Sequence, residues 1–188
     1  MMDKLVLASG SPRRKQLLEW AEIDFEVIVR ETPESYPAGL PVGLVPVHIA
    51  RNKALAVKKE LAAGRVVLAA DTVVVLDGEI IGKPKDREDA IGILMRLQDH
   101  EHEVITGVIL TKGEQEIAFA DSTAVWFHPL TRVQIEAYVD KYRPYDKAGA
   151  YAIQEWIGVV GIRGIEGDFY NVMGLPVSRV VRELALLK

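Results

Sequence analysis

The 188-residue sequence contains no cysteine, which removes disulfides, thiol nucleophiles and cysteine-ligated zinc from its chemistry and agrees with a reducing compartment. It has no apolar run near the ~18 residues of a membrane span. Its first twenty residues carry cations after the apolar run, where a secretory signal would place small residues and a cleavage site. A cytoplasmic protein without membrane partners is expected. Basic residues are not in excess either: 23 stand against 27 acidic ones, for a net charge of −4. They are mixed along the chain, so no extended footprint for a nucleic-acid backbone is expected. Repeats and low-complexity tracts are missing. So are the Gly-x-x-x-x-Gly-Lys-Ser/Thr loop, Gly-x-Gly-x-x-Gly, the Gly-x-Ser-x-Gly elbow and His-Glu-x-x-His. The common phosphate-loop, dinucleotide, esterase and zinc-protease readings therefore have no local support.

What is present starts at the N-terminus. Leu5, Val6 and Leu7 form the short continuous apolar run of a buried strand, and Ser11 with Pro12 supplies the cap and first-turn proline of a helix. A first helical turn exposes unpaired N–H groups and the positive end of the dipole, so it ordinarily collects acidic residues. Here it holds Arg13, Arg14 and Lys15. Three cations in that position ask for compensation, either from a bound phosphate chain or from acidic neighbours such as Glu34. With 49% hydrophobic residues, the chain suffices for one well-filled core.

Farther along, residues 25–29 alternate as a strand, and a proline- and glycine-rich loop over residues 31–46 carries Glu34. A loop carboxylate by itself reads as solvated. Pro46 opens a helix expected over residues 46–63, with Val47, Ala50, Ala54, Val57 and Leu61 as its apolar stripe. Lys53 sits on the flank of that stripe, where its ammonium either turns to water or reaches over the rim of a pocket. A second apolar strand, residues 66–70, is expected to end at Asp71-Thr72, before a hairpin turning at Asp77-Gly78. A carboxylate at such a junction costs several kcal/mol unless it is paired or holds a cation. It either caps a turn or ligates a metal or water, and the position favours ligation.

Lys83 lies in a short rigid loop before Pro84, a good place for a charged ligand contact. Asp86 and Asp89 start a helix whose apolar positions are Ala90, Ile91, Ile93, Leu94 and Leu97. A long hairpin over residues 102–127 follows, with His100 and His102 read as polar strand-end residues because no third metal ligand lies nearby. Thr131 and Gln134 form a capping box. Residues 146–154 read as a loop entering a strand, and residues 158–174 as a glycine-rich connection. Pro176 opens a last helix with Val177, Val180, Val181 and Leu184 inward. Phosphate-type cations with isolated carboxylates suggest metal-assisted hydrolysis or transfer on a phosphorylated substrate.

Seven motifs, in order over nearly the whole chain, carry a resemblance: Ser9-Gly-Ser-Pro-Arg-Arg with Leu17-Leu18, Ala50-Arg-Asn-Lys-Ala54, Ala70-Asp-Thr-Val-Val74, Gly82-Lys-Pro84, Asp146-Lys-Ala-Gly-Ala-Tyr151, Ile153-Gln154 and Gly174-Leu-Pro176. The combination resembles the Maf family of nucleoside triphosphate pyrophosphatases, and its Ala-Asp-Thr and Ile-Gln forms resemble the branch acting on dTTP and UTP. The resemblance implies one Maf-like α/β domain over residues 1–188. Its implied fold is a mixed, elongated, inosine triphosphatase-like sheet flanked by helices, with a cleft between two lobes.

It also implies hydrolysis of the α–β phosphoanhydride with a divalent cation, Mg²⁺ or Mn²⁺, and a homodimer by analogy. Asp71 would correspond to the proton acceptor, and Arg13, Thr72 and Gln154 to positions linked to substrate choice. Ser9, Lys53 and Lys83 would contact phosphates, while Glu34 would join Asp71 at the metal or water. A cell-division or septum regulator, acting through a protein or nucleic-acid partner, is the alternative. Three segments depart from the family pattern: Glu155-Trp-Ile-Gly158 stands where relatives have Gly-Leu-Gly, Tyr142-Arg-Pro-Tyr145 replaces Gly-Glu-Pro-Leu, and Gly167-Asp-Phe-Tyr170 stands where Gly-Ser-Tyr is common. Base preference is the expectation they bear on most.

Overall fold

A computed structural model describes residues 4–62 and 64–187. Its framework is a seven-stranded mixed sheet in the order β2-β1-β3-β5-β6-β7, with β4 paired to β3. In chain order the strands are β1 (Leu5–Leu7), β2 (Phe25–Val27), β3 (Val66–Leu76), β4 (Glu79–Ile81), β5 (Glu101–Lys112), β6 (Gln115–Phe127) and β7 (Ile162–Glu166). The helices are α1 (Pro12–Trp20), α2 (Val45–Lys58), α3 (Arg87–Leu97), α4 (Arg132–Tyr142), α5 (Trp156–Gly161), α6 (Phe169–Met173) and α7 (Val177–Leu184). β1 pairs in parallel with both β2 and β3, which explains its unbroken apolar run, since parallel strands bury both faces. The chain divides into two compact units, the first built from residues 4–71, 106–121 and 174–187, the second from residues 72–105 and 122–173.

In the first unit, Val47, Ala50, Ala54 and Val57 of α2 pack with Val6 and Ala8, Val67 and Ala69, and Ile109 in one buried cluster. The 3.6-residue stripe thus meets the strand faces it was expected to need, and each fully buried valine or isoleucine contributes roughly 1.5–3 kcal/mol. The approach is close. A Cβ built on Gly107 in β5 would stand 2.2 Å from the Val47 nitrogen and 2.3 Å from the Pro46 carbonyl carbon, so this position admits only glycine. The helix stops at Lys58, earlier than expected, because Glu60 and Leu61 already bond back to Val57 and Lys58 in turns; position 63 lies outside the described residues. Near the C-terminus only Val180 of α7 is buried, and Val181, expected inward, is 46% exposed.

In the second unit α3 buries Ala90, Ile91, Ile93, Leu94 and Leu97, its whole expected stripe, and packs on α4. Asp86 accepts from the Asp89 amide at 2.9 Å, and Thr131 with Gln134 forms the reciprocal cap of α4. Asp77 and Gly78 both have positive φ, 52° and 79°, the type I′ geometry that joins β3 to β4. Two expectations fail here. Residues 151–154 form an irregular turn leading into α5 instead of a strand, and the glycine-rich connection contains α5, β7 and α6. β7 exists because it pairs antiparallel with β6, a contact no local pattern announces. His102 stands at a strand end as expected, second in β5, but is withdrawn from water: it is 2% exposed, stacks on Phe127 and meets Tyr151 edge-on, with Nε2 2.7 Å from the Tyr151 hydroxyl.

Candidate active site

In the first unit the site is organised by Lys53. Its position on α2, beside the buried stripe, leaves the side chain 18% exposed, and Nζ donates to Asp71 Oδ1 at 2.6 Å and to Glu34 Oε1 at 2.9 Å. The two carboxylates that the sequence places 37 positions apart thus share one ammonium. Asp71, expected at a strand end, lies inside a continuous β3. The β-branched Thr72, Val73, Val74 and Val75 carry the extended backbone straight through it. Its side chain is 13% exposed, and a carboxylate withdrawn this far from water requires its cation. Glu34 remains 47% exposed on its loop, so its half of the contact is the weaker one.

Behind this pair stands a residue absent from the sequence-derived set. Arg14 is buried, 8% exposed; its Nε donates to the Gly174 carbonyl at 2.8 Å and Nη1 to Ser9 Oγ at 3.1 Å. Ser9 is itself buried, and its Oγ also accepts from the Ser11 amide at 3.3 Å. Burial pulls the Arg14 guanidinium down to about 10; the Asp71 charge opposes this most, Arg13 adds to the lowering and Glu34 opposes it. At neutral pH Arg14 is still a cation. The Arg13-Arg14 pair therefore splits: Arg14 turns inward and fixes the loop of Ser9, while Arg13 stays half-buried. The helical phase distinguishes the two, because Leu17 and Leu18, three and four positions on, share Arg14's face and are buried with it.

The remaining expected residues belong to the second unit. Thr72 follows Asp71 directly along β3, Lys83 is exposed in the loop after β4, and Gln154 is exposed in the turn before α5. The Lys83 loop is tied to the segment leading to Gln154 by a Gly149 amide that donates to the Gly82 carbonyl at 3.2 Å. Gly149 has φ 68°, and a Cβ there would stand 2.9 Å from Val74 Cγ2, so the glycine in this motif answers both to backbone conformation and to space.

For a cation the protein offers two carboxylates within reach of the same point. No group of three or more His, Asp or Glu suited to a metal exists among the described residues. All-oxygen donors in that number fit a hard cation that takes its other ligands from phosphate oxygens and water, as Mg²⁺ does, and do not fit a closed structural metal site. Among the described residues no helix is long and apolar enough to cross a membrane.

A mixed α/β sheet that gathers a paired strand carboxylate, a bridging lysine and an arginine-rich helix start defines a protein built to handle a polyanion at a buried charge cluster. The Maf-like protein family profile matches residues 4–187, and the chain belongs to that family. It is 48% identical to a dTTP/UTP pyrophosphatase of Cytophaga hutchinsonii over 180 residues, covering 96% of this chain and 82% of that protein. It is 47% identical to a dTTP/UTP pyrophosphatase of Parabacteroides distasonis over 182 residues, covering 96% of this chain and 94% of that protein. Among solved structures, a nucleoside-triphosphatase (dITP/XTP pyrophosphatase) of Mycobacterium abscessus superposes with a TM-score of 0.45 at 16% identity, over 99% of this chain and 98% of that one.

Proposed function

We propose that this chain is a nucleoside triphosphate pyrophosphatase that hydrolyses dTTP and UTP to the monophosphate and pyrophosphate, working as one Maf-like domain. The observation that carries the reading is the Asp71–Lys53–Glu34 bridge next to the buried Arg14. Relatives named dTTP/UTP pyrophosphatase support the substrate class and favour an enzyme over a cell-division regulator. The same reading places the protein in the cytoplasm, as a homodimer by family analogy.

Asp71 acts as the base. Lys53 holds Oδ1, so the other carboxylate oxygen takes the proton of a water whose oxygen bonds the α-phosphorus as the bridging α–β oxygen leaves with pyrophosphate. Lys53, Lys83 and Arg13 neutralise phosphate charge as it redistributes, and Ser9, steadied by Arg14, lines the helix start that receives it. Asp71 and Glu34, which share the Lys53 ammonium here, would be the residues to hold Mg²⁺ or Mn²⁺, and the ion would lower the pKa of the attacking water and offset phosphate charge. Gln154 reads the base: its amide both accepts from N3–H and donates to a ring carbonyl, a pattern thymine and uracil share. Thr72 contributes to substrate choice next to the base catalyst. Little discrimination between dTTP and UTP follows from this pattern.

The test is a panel of nucleoside triphosphates with Mg²⁺ or Mn²⁺, with pyrophosphate and orthophosphate quantified separately and an EDTA control. Pyrophosphate from dTTP and UTP, abolished by EDTA, is expected. Orthophosphate as the sole inorganic product, or activity confined to purine triphosphates, overturns the reading.

A further inference from the structure

The turn that presents Gln154 is held from both sides by its neighbour. Glu155 caps α5: its carbonyl accepts from the Gly158 amide at 2.9 Å and the Val159 amide at 3.2 Å, while its own amide donates to the Ala152 carbonyl at 3.1 Å. Its carboxylate accepts from the hydroxyl of Tyr138 at 2.5 Å. Tyr138 is a fully buried residue of α4, 1% exposed, so that hydroxyl is fixed in space by the core. On its other side the Glu155 carboxylate faces Lys147 Nζ at 3.8 Å. Lys147 is nearly buried, and its nearer partner Asp146 is 63% exposed, so Glu155 is the better shielded of its two counter-charges. The next turn is equally constrained: a Cβ on Gly158 would fall 1.7 Å from the Ile153 carbonyl oxygen.

We propose that Glu155 is a positioning residue, a clamp between Tyr138 and Lys147 that fixes the backbone of Gln154 and so sets the enzyme's preference for thymine and uracil over cytosine. The proposal rests on Gln154 being the residue that reads the base. Cytosine lacks the N3–H and carries an amino group where thymine and uracil have a carbonyl. With its backbone fixed, the Gln154 amide meets the base from one direction, where cytosine presents a mismatched edge, whereas an amide on a loosened turn can shift to accommodate it. Burial raises the Tyr138 phenol well above its ordinary range, with the Glu155 hydrogen bond adding to the rise, so Tyr138 remains a hydrogen-bond donor at any working pH. The clamp contains none of the residues assigned to the phosphates, so its removal should act on recognition and leave the hydrolytic step in place.

The test is the ratio of kcat/KM for dTTP to that for dCTP in the full-length enzyme, with kcat and Tm measured alongside, for Tyr138→Phe, Glu155→Gln, Glu155→Ala and Gln154→Ala. Tyr138→Phe and Glu155→Ala should lower the ratio about ten-fold, mainly through dCTP becoming a better substrate and dTTP acquiring a higher KM, with kcat for dTTP within about two-fold of wild type. Glu155→Gln keeps an acceptor for the Tyr138 hydroxyl and should retain most of the ratio. Adding Tyr138→Phe to Glu155→Ala should change little further. If the Tyr138 and Glu155 variants lower both substrates equally in step with Tm, or leave the ratio untouched while Gln154→Ala collapses it, the clamp is refuted and the reading of Gln154 stands. If Gln154→Ala leaves the ratio untouched, both are refuted.

Discussion

In the first unit the buried charges Arg14 and Asp71 are each tied to a partner, Arg14 to Ser9 and Asp71 to Lys53, whose ammonium also bonds the more exposed Glu34. In the second the buried polar groups are mostly neutral, with Lys147 the charged one. His102 pairs with Tyr151, and the Asn171 amide donates to Thr123 Oγ1 and to the Val104 carbonyl, each at 3.0 Å. Buried charge is expensive and persists where each ion has a counter-ion or where a ligand will supply one. Buried neutral hydrogen bonds mainly hold a shape. In the proposed reading the proton acceptor Asp71 lies in the first unit and the base-reading Gln154 in the second, and substitutions in each should fail in different ways.

The largest expected effect is on the first unit's chemistry. Asp71→Asn keeps the shape of the side chain but cannot accept the water proton, and kcat for pyrophosphate release should fall by at least ~10²-fold. Wild-type turnover in this variant removes Asp71 from its role. Next comes Arg14→Met, which removes the guanidinium donor from the Gly174 carbonyl and one of the two donors from Ser9 Oγ. Relief from burying the guanidinium offsets part of that loss, and a net destabilisation of about 2–3 kcal/mol is expected in urea. An unchanged midpoint would show that this charge is not structural.

On the second unit the corresponding prediction concerns pH, not turnover. Burial lowers His102 from 6.5 to about 4, so the imidazole is neutral in the folded protein. As pH falls from about 6.5 toward 4 the unfolded chain takes up a proton that the folded chain refuses. The stability due to His102 is therefore complete above pH 6.5 and is lost on acidification. Between pH 6.5 and 5 this amounts to about 2 kcal/mol. Urea titrations of wild type and His102→Gln at the two pH values measure it, since the variant should show a shallower pH dependence. Equal slopes would place His102 outside the acid response. The smallest effect is on discrimination: Gln154→Ala should lower the dTTP-to-dCTP preference about ten-fold while pyrophosphate is still released.

Where side-chain periodicity or cap chemistry was local, the sequence was a sufficient guide. The α3 stripe, the Thr131–Gln134 box, the Asp77-Gly78 hairpin and the α2 stripe all stand as expected from residue types a few positions apart. Legibility failed where partners come from afar. Leu17 and Leu18 put Arg14 on the buried face of α1, but what captures it, the carbonyl of Gly174, lies 160 positions away. The burial of His102 was not legible because its aromatic neighbours, Phe127 and Tyr151, arrive from later segments. The stretch from 151 to 174 has too much glycine for a period to emerge, and β7 is specified by β6. Lys53, Glu34 and Asp71 were each named from the sequence. Their meeting on one ammonium was not legible, since no spacing rule links a loop, a helix flank and a strand interior.

Gly107 carries a genetic consequence. The atoms that exclude a methyl group there are main-chain atoms of Pro46 and Val47, at the head of the helix that carries Lys53. Trimming a neighbouring side chain cannot make room, so a selection that starts from Gly107→Ala and demands restored turnover should return the original glycine and no compensating change elsewhere.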